Sequence, residues 1–530
     1  MPQDPSTQRP LGAQISHALR ARGVDTIFGI PGVHNQEMYR GIEEAGIRHI
    51  LARHEQGAAF MADGYARATG RLGVCYIITG PGLANAMTPL GQAYSDSVSV
   101  LAIASCLHET AARRGQLHQM RDQEGAARTV CAWSETAQSP DAAYGLVDRA
   151  FADAAARRKR SMALHVPIPL LEARAPEAPA PLTPPALPSA DEASVADLRD
   201  LLSASRAPLI IAGGGAVKAR VAELATVLGA ATFTTYAGGG LVPEHPLDYG
   251  SYLARPSSAD VIAQADLVIV LGSELAEVDL WRNALGHTAP MIRVDIDPEV
   301  LADEHRAEHP IFGDAAGVVD RMLTHLEGHR PNTKWQADEV AQTRTRWRSE
   351  VEAERPGIVA ICDALRDVMP GDAMIYSDMT QFAYVAKEVW DMPRPGHWHH
   401  PSGFGTLGYA LPAAIGGAVA RTGLPTVAIA GDYGFQYTLQ DLGTAVELAQ
   451  PLPILIWDNM KLKEIEDSMV GAQIPPNAVI ARNPDFMALA RAYGAGARHP
   501  QSLEELQRDL TEAFDAPGPV VIYMTPDLTS

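Results

Sequence analysis

The chain has 530 residues, 46% of them hydrophobic, and a formal net charge of −20. So long a chain needs more than one core and implies three domains, while the acidic balance argues against nucleic acid and anionic membrane as partners. Cys75, Cys106, Cys131 and Cys362 stand far apart without C-x-x-C spacing. That argues against a disulfide frame or zinc site and reads as the reduced thiols of a cytoplasmic protein. The polar start over 1–10 lacks an apolar signal core, and no apolar run reaches membrane-spanning length.

In chain order, an amphipathic helix is expected over 11–22. A short strand over 26–29 then enters the turn Gly29-Ile30-Pro31-Gly32. A strand over 49–51 leads to Arg53-His54-Glu55-Gln56-Gly57. Glu55 sits where the helix macrodipole stabilises an acid, ahead of an Ala-rich helix over 58–69. A strand over 74–79 turns through Gly80-Pro81-Gly82 into a helix over 83–95, and a strand over 98–104 follows. Such alternation means a parallel sheet covered on both faces. The segment from His108 through Arg113, Arg114, His118 and Asp122 to Glu124 is dense in His, Arg and acid without helical period. It reads as a pocket-rim loop.

Residues 173–190 form a Pro/Ala-rich linker, stiff and extended. Three strand-then-turn units follow: 209–212 into Gly213-Gly214-Gly215, 267–271 into Gly272-Ser273, and 291–294 into Asp295. They imply a second parallel sheet. The triple glycine lacks the G-x-G-x-x-G order and the acid that follows it, so it establishes neither a dinucleotide nor a flavin site. Polar residues 331–356 read as a connecting helix. In the last third, a strand ends at Asp378 and Gln381 enters the next helix. His397, His399 and His400 invite a metal reading, but no further ligand or carboxylate at helical spacing stands nearby. Ser402 to Gly408 is rich in small residues and opens a helix, which suits close packing around a cofactor and a diphosphate.

The stretch with the most chemistry comes next. An apolar strand over 427–430 is closed by Gly431-Asp432, a helical period covers 438–448, and a second strand over 453–457 is closed by Asp458-Asn459. Two parallel strands joined by a helix bring both strand ends to one sheet edge, the edge where open α/β sheets bind ligands. Asp432 and Asn459 therefore meet there as hard oxygen donors suited to Mg²⁺ or Ca²⁺, with phosphate oxygens completing the shell.

This stretch resembles the thiamin-diphosphate motif, a G-D-G turn answered by N-N at the following strand end. Tyr433 replaces a small residue and Asp458 the first Asn; neither is a side-chain ligand. Earlier motifs strengthen the likeness. Phe28-Gly29-Ile30-Pro31-Gly32, Arg53-His54-Glu55-Gln56-Gly57, Ala62-Asp63-Gly64-Tyr65-Ala66-Arg67 and Thr79-Gly80-Pro81-Gly82-Leu83-Ala84-Asn85 occur in that order. Together they resemble the pyrimidine-binding domain of thiamin-diphosphate enzymes, in the acetolactate-synthase-like branch. Arg114-Gly115-Gln116-Leu117-His118 and Gly431-Asp432-Tyr433-Gly434-Phe435-Gln436 look more narrowly like the branch that contains 5-guanidino-2-oxopentanoate decarboxylase.

The resemblance implies an α/β chain of three doubly wound parallel-sheet domains: pyrimidine-binding (1–175), central (191–330) and diphosphate-binding (357–530). It implies Mg²⁺ held by Asp432, Asn459 and the Lys461 carbonyl, and a cofactor site including Gly431, Asp432, Tyr433, Gly434, Asn459 and Gln381. Glu55 would bond the pyrimidine N1′ as the catalytic acid. Gly405 would offer its carbonyl to the aminopyrimidine, and Leu407 would be the apolar wedge that bends the cofactor. Each site in that family lies between subunits, so a homodimer or homotetramer is implied. The expected reaction is non-oxidative decarboxylation of a 2-oxoacid. A carboligase joining the same intermediate to a second carbonyl compound is the alternative, and a non-catalytic paralogue acting as a binding protein is the other.

A guanidinium-tailed substrate calls for a carboxylate able to pair it bidentately. Asp122, Glu124, Glu464, Glu466 and Asp467 are the candidates, while Lys461 and Lys463 would repel such a tail. His34, His108 and His118 are candidate proton relays.

Overall fold

The computed structural model describes residues 8–108, 114–480 and 482–529. Among these residues the chain builds three parallel sheets with helices on their faces, plus a two-stranded pair in which Arg9–Pro10 runs antiparallel to Arg174–Ala175. The N-terminal sheet has six strands, in spatial order Arg48–Leu51, Thr26–Gly29, Gly73–Ile77, Val100–Cys106, Ser161–Pro167 and Trp133–Thr136. The C-terminal sheet has six strands in the same winding order: Trp398–His399, Met374–Ser377, Thr426–Gly431, Leu452–Trp457, Pro519–Met524 and Gly496–Arg498. Both are wound in two directions from their first strand. Their switch points therefore lie beside Gly29 and Ile77 in one, and beside Ser377 and Gly431 in the other.

The central sheet has five strands, Ala231–Thr234, Pro208–Ala212, Leu267–Leu271, Met291–Asp295 and His309–Phe312. Its switch point is closed by backbone. Gly213 N donates to Leu271 O at 2.9 Å and Gly215 N to Gly272 O at 3.0 Å. Gly213 and Gly215 thus pack against Gly272 at the opposite strand end, where a side chain would collide. The connecting helix expected from the polar segment is Ala337–Glu354. All four cysteines are free and buried. No helix among the described residues is long and apolar enough to cross a membrane.

The first and last sheets meet closely at one helix pair. Glu55–Thr69 packs along Ala410–Ala420. A Cβ at Gly64 would strike the Ala413 carbonyl, and one at Gly416 would strike the Met61 carbonyl. Glycine and alanine are what let these backbones approach. A buried polar cluster pins the same crossing: Arg67 Nε bonds Asp63 at 2.7 Å, Arg67 Nη2 bonds Asp96 at 2.8 Å, and Tyr409 donates to Asp63 at 2.9 Å. Gly64→Ala should therefore force the helices apart and cost roughly 1–3 kcal/mol, as overpacking does. A denaturant midpoint equal to wild type would refute this account of the crossing.

Some expectations need correction. The strand expected over 98–104 is Val100–Cys106, because Val98 N donates to Ala93 O at 2.8 Å and completes the end of the preceding helix. The helix expected over 438–448 is split and begins earlier. Asp432–Tyr437 is already helical, Leu439–Asp441 forms a tight turn, and Leu442–Leu448 continues. Thr438 interrupts it by donating its hydroxyl to Gly408 O at 2.9 Å. Asp432 is thus the first residue of a helix, not part of a turn. The loop reading over 108–124 ends sooner than expected, since Asp122 caps the helix Gln123–Arg128 through Gly125 N at 2.7 Å. Arg113 lies outside the described residues.

Candidate active site

At the N-terminal switch point the loops after Gly29 and Ile77 stand side by side. Asn35 fixes the first of them: its Oδ1 accepts Gly32 N at 2.7 Å and its Nδ2 donates to Ile30 O at 3.3 Å. Gln123 fixes the second by accepting Gly80 N at 3.0 Å and donating to Ser105 O at 2.9 Å. Glu55 begins its helix next to these loops, with His54 Nδ1 accepting Gln56 N at 3.2 Å. Glu55 Oε2 accepts Asn85 Nδ2 at 2.9 Å. Its Oε1 lies across Gly82, where a Cβ would come within 3.2 Å. The half-buried carboxylate therefore has one oxygen engaged and the other against a glycine turn.

His34 and His118 come together at this edge, their rings edge-to-face with centroids 4.9 Å apart. Neither Nδ1 has a hydrogen-bond partner among the described residues. Burial lowers the His34 pKa, and a charge on His118 would lower it further, so His34 is neutral at pH 7. His118 holds φ at +60°, an unusual state for a side chain with a Cβ, and its carbonyl lies against Gly80. His108 is exposed.

The C-terminal switch point is organised by Asp378, which sequence reading noted only as a strand end. Buried, it accepts Gly408 N at 2.8 Å and Met379 N at 2.9 Å. Burial pushes its carboxyl up to about 7, against the backbone donors at Met379, Gly408, Ala410 and Tyr409. This holds the loop bearing Gly405 and Leu407, in which Gly405 has φ +65° and Gly408 φ +85°. Gly405 is exposed and Leu407 half-buried. Gly434 packs directly on the Asp378 carboxylate, and Tyr433 beside it is half-buried.

Asp432 is buried, and Asn483 Nδ2 donates both to its Oδ2 at 2.7 Å and to Asp458 Oδ1 at 2.9 Å. Burial, aided by the nearby Asp458 charge, pushes the Asp432 carboxyl up to about 6 against the Asn483 hydrogen bond. Asp458 also accepts Met460 N at 2.7 Å and the Tyr523 hydroxyl at 2.8 Å. Asn483, Met460 N and Tyr523 all use its carboxylate as an acceptor, a demand that two carboxylate oxygens meet and a single amide oxygen does not. Asn459 Oδ1 accepts Lys461 N at 3.2 Å, and its Nδ2 donates to Gln381 Oε1 at 2.9 Å. A buried acid pair with an amide oxygen and a strand-end turn beside it is an oxygen-rich donor set short of positive charge. It fits a hard divalent cation.

Gln381 and the candidate substrate acids are already engaged. Gln381 Nε2 donates to Glu464 Oε1 at 2.8 Å, and Arg355 grips Glu464 with two bonds of 3.0 Å. Glu466 pairs with Lys461 at 3.1 Å, Asp467 with Lys463, and Glu124 with Arg128. Asp122 is the helix cap already described. So each of the five carboxylates already has a partner within the chain, and Lys461 and Lys463 are paired with Glu466 and Asp467 of the helix Lys463–Gly471.

Within one chain, the segment after the Asp432 helix braces the loop that carries Glu55. Asp441 Oδ1 accepts Arg53 N at 3.0 Å, Thr444 Oγ1 donates to Leu51 O at 2.8 Å, and Arg53 pairs with Glu447. Asp441 is fully buried, and burial pushes its carboxyl from 3.8 to about 7 against the attraction of Arg53. The folded state holds this proton more tightly than the unfolded chain. Asp441 therefore favours folding most at low pH, and that contribution is lost as pH rises from about 4 through about 7. Asp441→Asn should remove the loss and gain roughly 2–4 kcal/mol relative to wild type at about pH 8, with little difference at about pH 4. Parallel stability profiles for the two proteins across that window would refute it.

Family models match all three sheets. The thiamine pyrophosphate enzyme N-terminal binding domain matches residues 9–126, the central domain 195–322 and the C-terminal binding domain 378–524. The chain belongs to the thiamine pyrophosphate enzyme family. A probable 2-ketoarginine decarboxylase of Pseudomonas aeruginosa is 41% identical over 99% of this chain and 95% of its own length. The acetolactate synthase isozyme 2 large subunit of Escherichia coli is 30% identical over 97% and 95%. An acetolactate synthase of Mycobacterium bovis is 30% identical over 92% and 83%.

As a thiamine pyrophosphate (thiamin diphosphate) enzyme, the chain places its N-terminal and C-terminal binding domains at the two switch points. Among the described residues, no hydrogen bond or ion pair joins Glu55 directly to Asp432, Asn459 or Gly405. Sequence reading passed over Asn483, Asp441 and Arg355. Each acts through a partner at least 25 residues away, and local patterns carry no trace of such pairings. Asp378 left one usable signal, an acid at a strand end just before a helix.

Proposed function

We propose that this enzyme removes CO₂ from a 2-oxoacid without oxidation, that 5-guanidino-2-oxopentanoate is the foremost substrate, and that Mg²⁺ anchors the cofactor diphosphate. The observation that carries the chemistry is the Glu55 carboxylate, held by Asn85 over the Gly80–Gly82 turn at a sheet edge of the N-terminal binding domain. Thiamin diphosphate, when bound, supplies the electron sink for decarboxylation. Glu55 would hold a proton at the pyrimidine N1′ and return it. Asp432, Asn459 and the Lys461 carbonyl would take the cation, the Gly405 carbonyl would receive the aminopyrimidine, and Leu407 is the apolar body of that loop. Neutral His34, edge-to-face with His118, is suited to passing a proton at the rim.

The likeness to a probable 2-ketoarginine decarboxylase over nearly the whole chain supports the substrate assignment. The likeness to acetolactate synthases favours carboligation as the second reading. Assembly as at least a homodimer is part of the proposal. It is supported by large apolar residues next to site residues in both half-sites. Val33, Leu117, Phe404 and Met460 are each more than half exposed. The proposal also takes domain limits of 1–175, 191–330 and 357–530 and a cytoplasmic location.

The test is the product spectrum. Purified protein with Mg²⁺ and thiamin diphosphate meets a panel of 2-oxoacids, including the guanidino acid and pyruvate, and products are identified by mass spectrometry. An aldehyde from the guanidino acid supports the decarboxylase. Acetolactate or another coupled product replaces it with the carboligase.

A further inference from the structure

The amide of Asn459 can turn either its oxygen or its nitrogen toward a cation, and only the oxygen can bind one. A chain of hydrogen bonds running away from Asn459 sets this choice. It ends on Glu464, a carboxylate, which can only accept. Arg355 fixes that carboxylate with two bonds of 3.0 Å, to Oε1 and Oε2. Gln381 must therefore present its NH₂ to Glu464, and does so at 2.8 Å. Its carbonyl is then left for Asn459, which must present its own NH₂, at 2.9 Å. At the other end Lys461 N, a donor, meets Asn459 Oδ1 at 3.2 Å. Both ends force the same orientation.

We propose that Arg355, Glu464 and Gln381 form a directional relay that aims the Asn459 oxygen at the diphosphate-anchoring cation. The proposal rests on the cation site assigned above and gives Glu464 and Gln381 a different role from substrate or direct cofactor contact. They are positioning residues. Arg355 directly follows the connecting helix Ala337–Glu354, so the relay also ties the ligand to the segment that enters the last domain.

The relay makes a prediction that simple packing does not. In Glu464→Ala, Gln381 loses its anchor, both amides can flip, and the cation site weakens. In Asn459→Asp an oxygen faces the cation whatever the orientation. There Gln381 must turn its NH₂ toward the new carboxylate and its carbonyl toward Glu464, so removing Glu464 relieves a repulsion. Mg²⁺-dependent binding of thiamin diphosphate, followed by calorimetry on cofactor-free protein, reads the cycle. Glu464→Ala should raise the Mg²⁺ requirement about tenfold in the wild-type background, the scale seen when groups supporting a metal ligand are lost. In the Asn459→Asp background the same change should leave it equal or lower.

Equal weakening in both backgrounds, or none in the first, would overturn the relay. Gln381→Ala carries the same cycle if Glu464→Ala does not fold, and the melting temperature of each cofactor-free variant reports that separately. Wild-type binding that ignores Mg²⁺ would instead sink the cation site itself, so the two failures are distinguishable.

Discussion

Glu55→Gln should cut turnover by about 10²–10⁴-fold, the usual worth of a positioned proton-transfer group, while thiamin diphosphate still binds. Gln keeps an oxygen for the Asn85 amide, which now bonds Glu55 at 2.9 Å, and fits the same space beside Gly82. What it loses is the ability to hold and return a proton. The fold should be little affected. Glu55 is the first residue of its helix, and losing a charge there costs about 0.3–1 kcal/mol of macrodipole stabilisation. Calorimetry of cofactor binding, the melting temperature and single-turnover CO₂ release separate these effects. Wild-type turnover in the variant would end the assignment. Lost cofactor binding would instead make Glu55 a binding residue.

Asp432→Ala should lower metal-dependent cofactor affinity by at least about 100-fold, more than the loss of a group that merely supports a ligand. The cofactor-free protein should melt no lower than wild type. Asp432 is buried beside Asp458, and its carboxyl is pushed up to about 6, so above that pH its charge works against the fold. Removing it relieves the acid pair and leaves Asn483 bonded to Asp458. A variant that binds less and melts higher would show a site kept charged for its ligand at the expense of stability. Unchanged affinity would remove Asp432 from the cation site. A large drop in melting temperature would make it a structural acid.

Much of this architecture was legible in local patterns. Apolar runs ending in Gly29, Gly431 and Asn459 marked strand ends. Their alternation with helices implied parallel, doubly wound sheets, because parallel strands need crossovers and crossovers return strand ends to one edge. Asp432 and Asn459 could be named because each follows such a strand end, whereas Glu55 by itself reads as a helix-start acid and is named from the resemblance that the ordered motifs around it carry. Periodicity could not reveal that Thr438 breaks its helix to bond Gly408, since that hydroxyl's partner is 30 residues away.

The partners of the candidate substrate acids were hidden for the same physical reason. A sequence displays a carboxylate's charge but not its partner. Arg355 lies 109 residues before the Glu464 it grips, and Arg53 lies 388 residues before Asp441. Residue types and their local order were enough for the family, its thiamin diphosphate binding domains and the winding of their sheets. Which charges are free, which amides are aimed and how closely the Glu55 helix approaches its neighbour depended on long-range packing, where burial and hydrogen-bond direction, rather than composition, set each group's role.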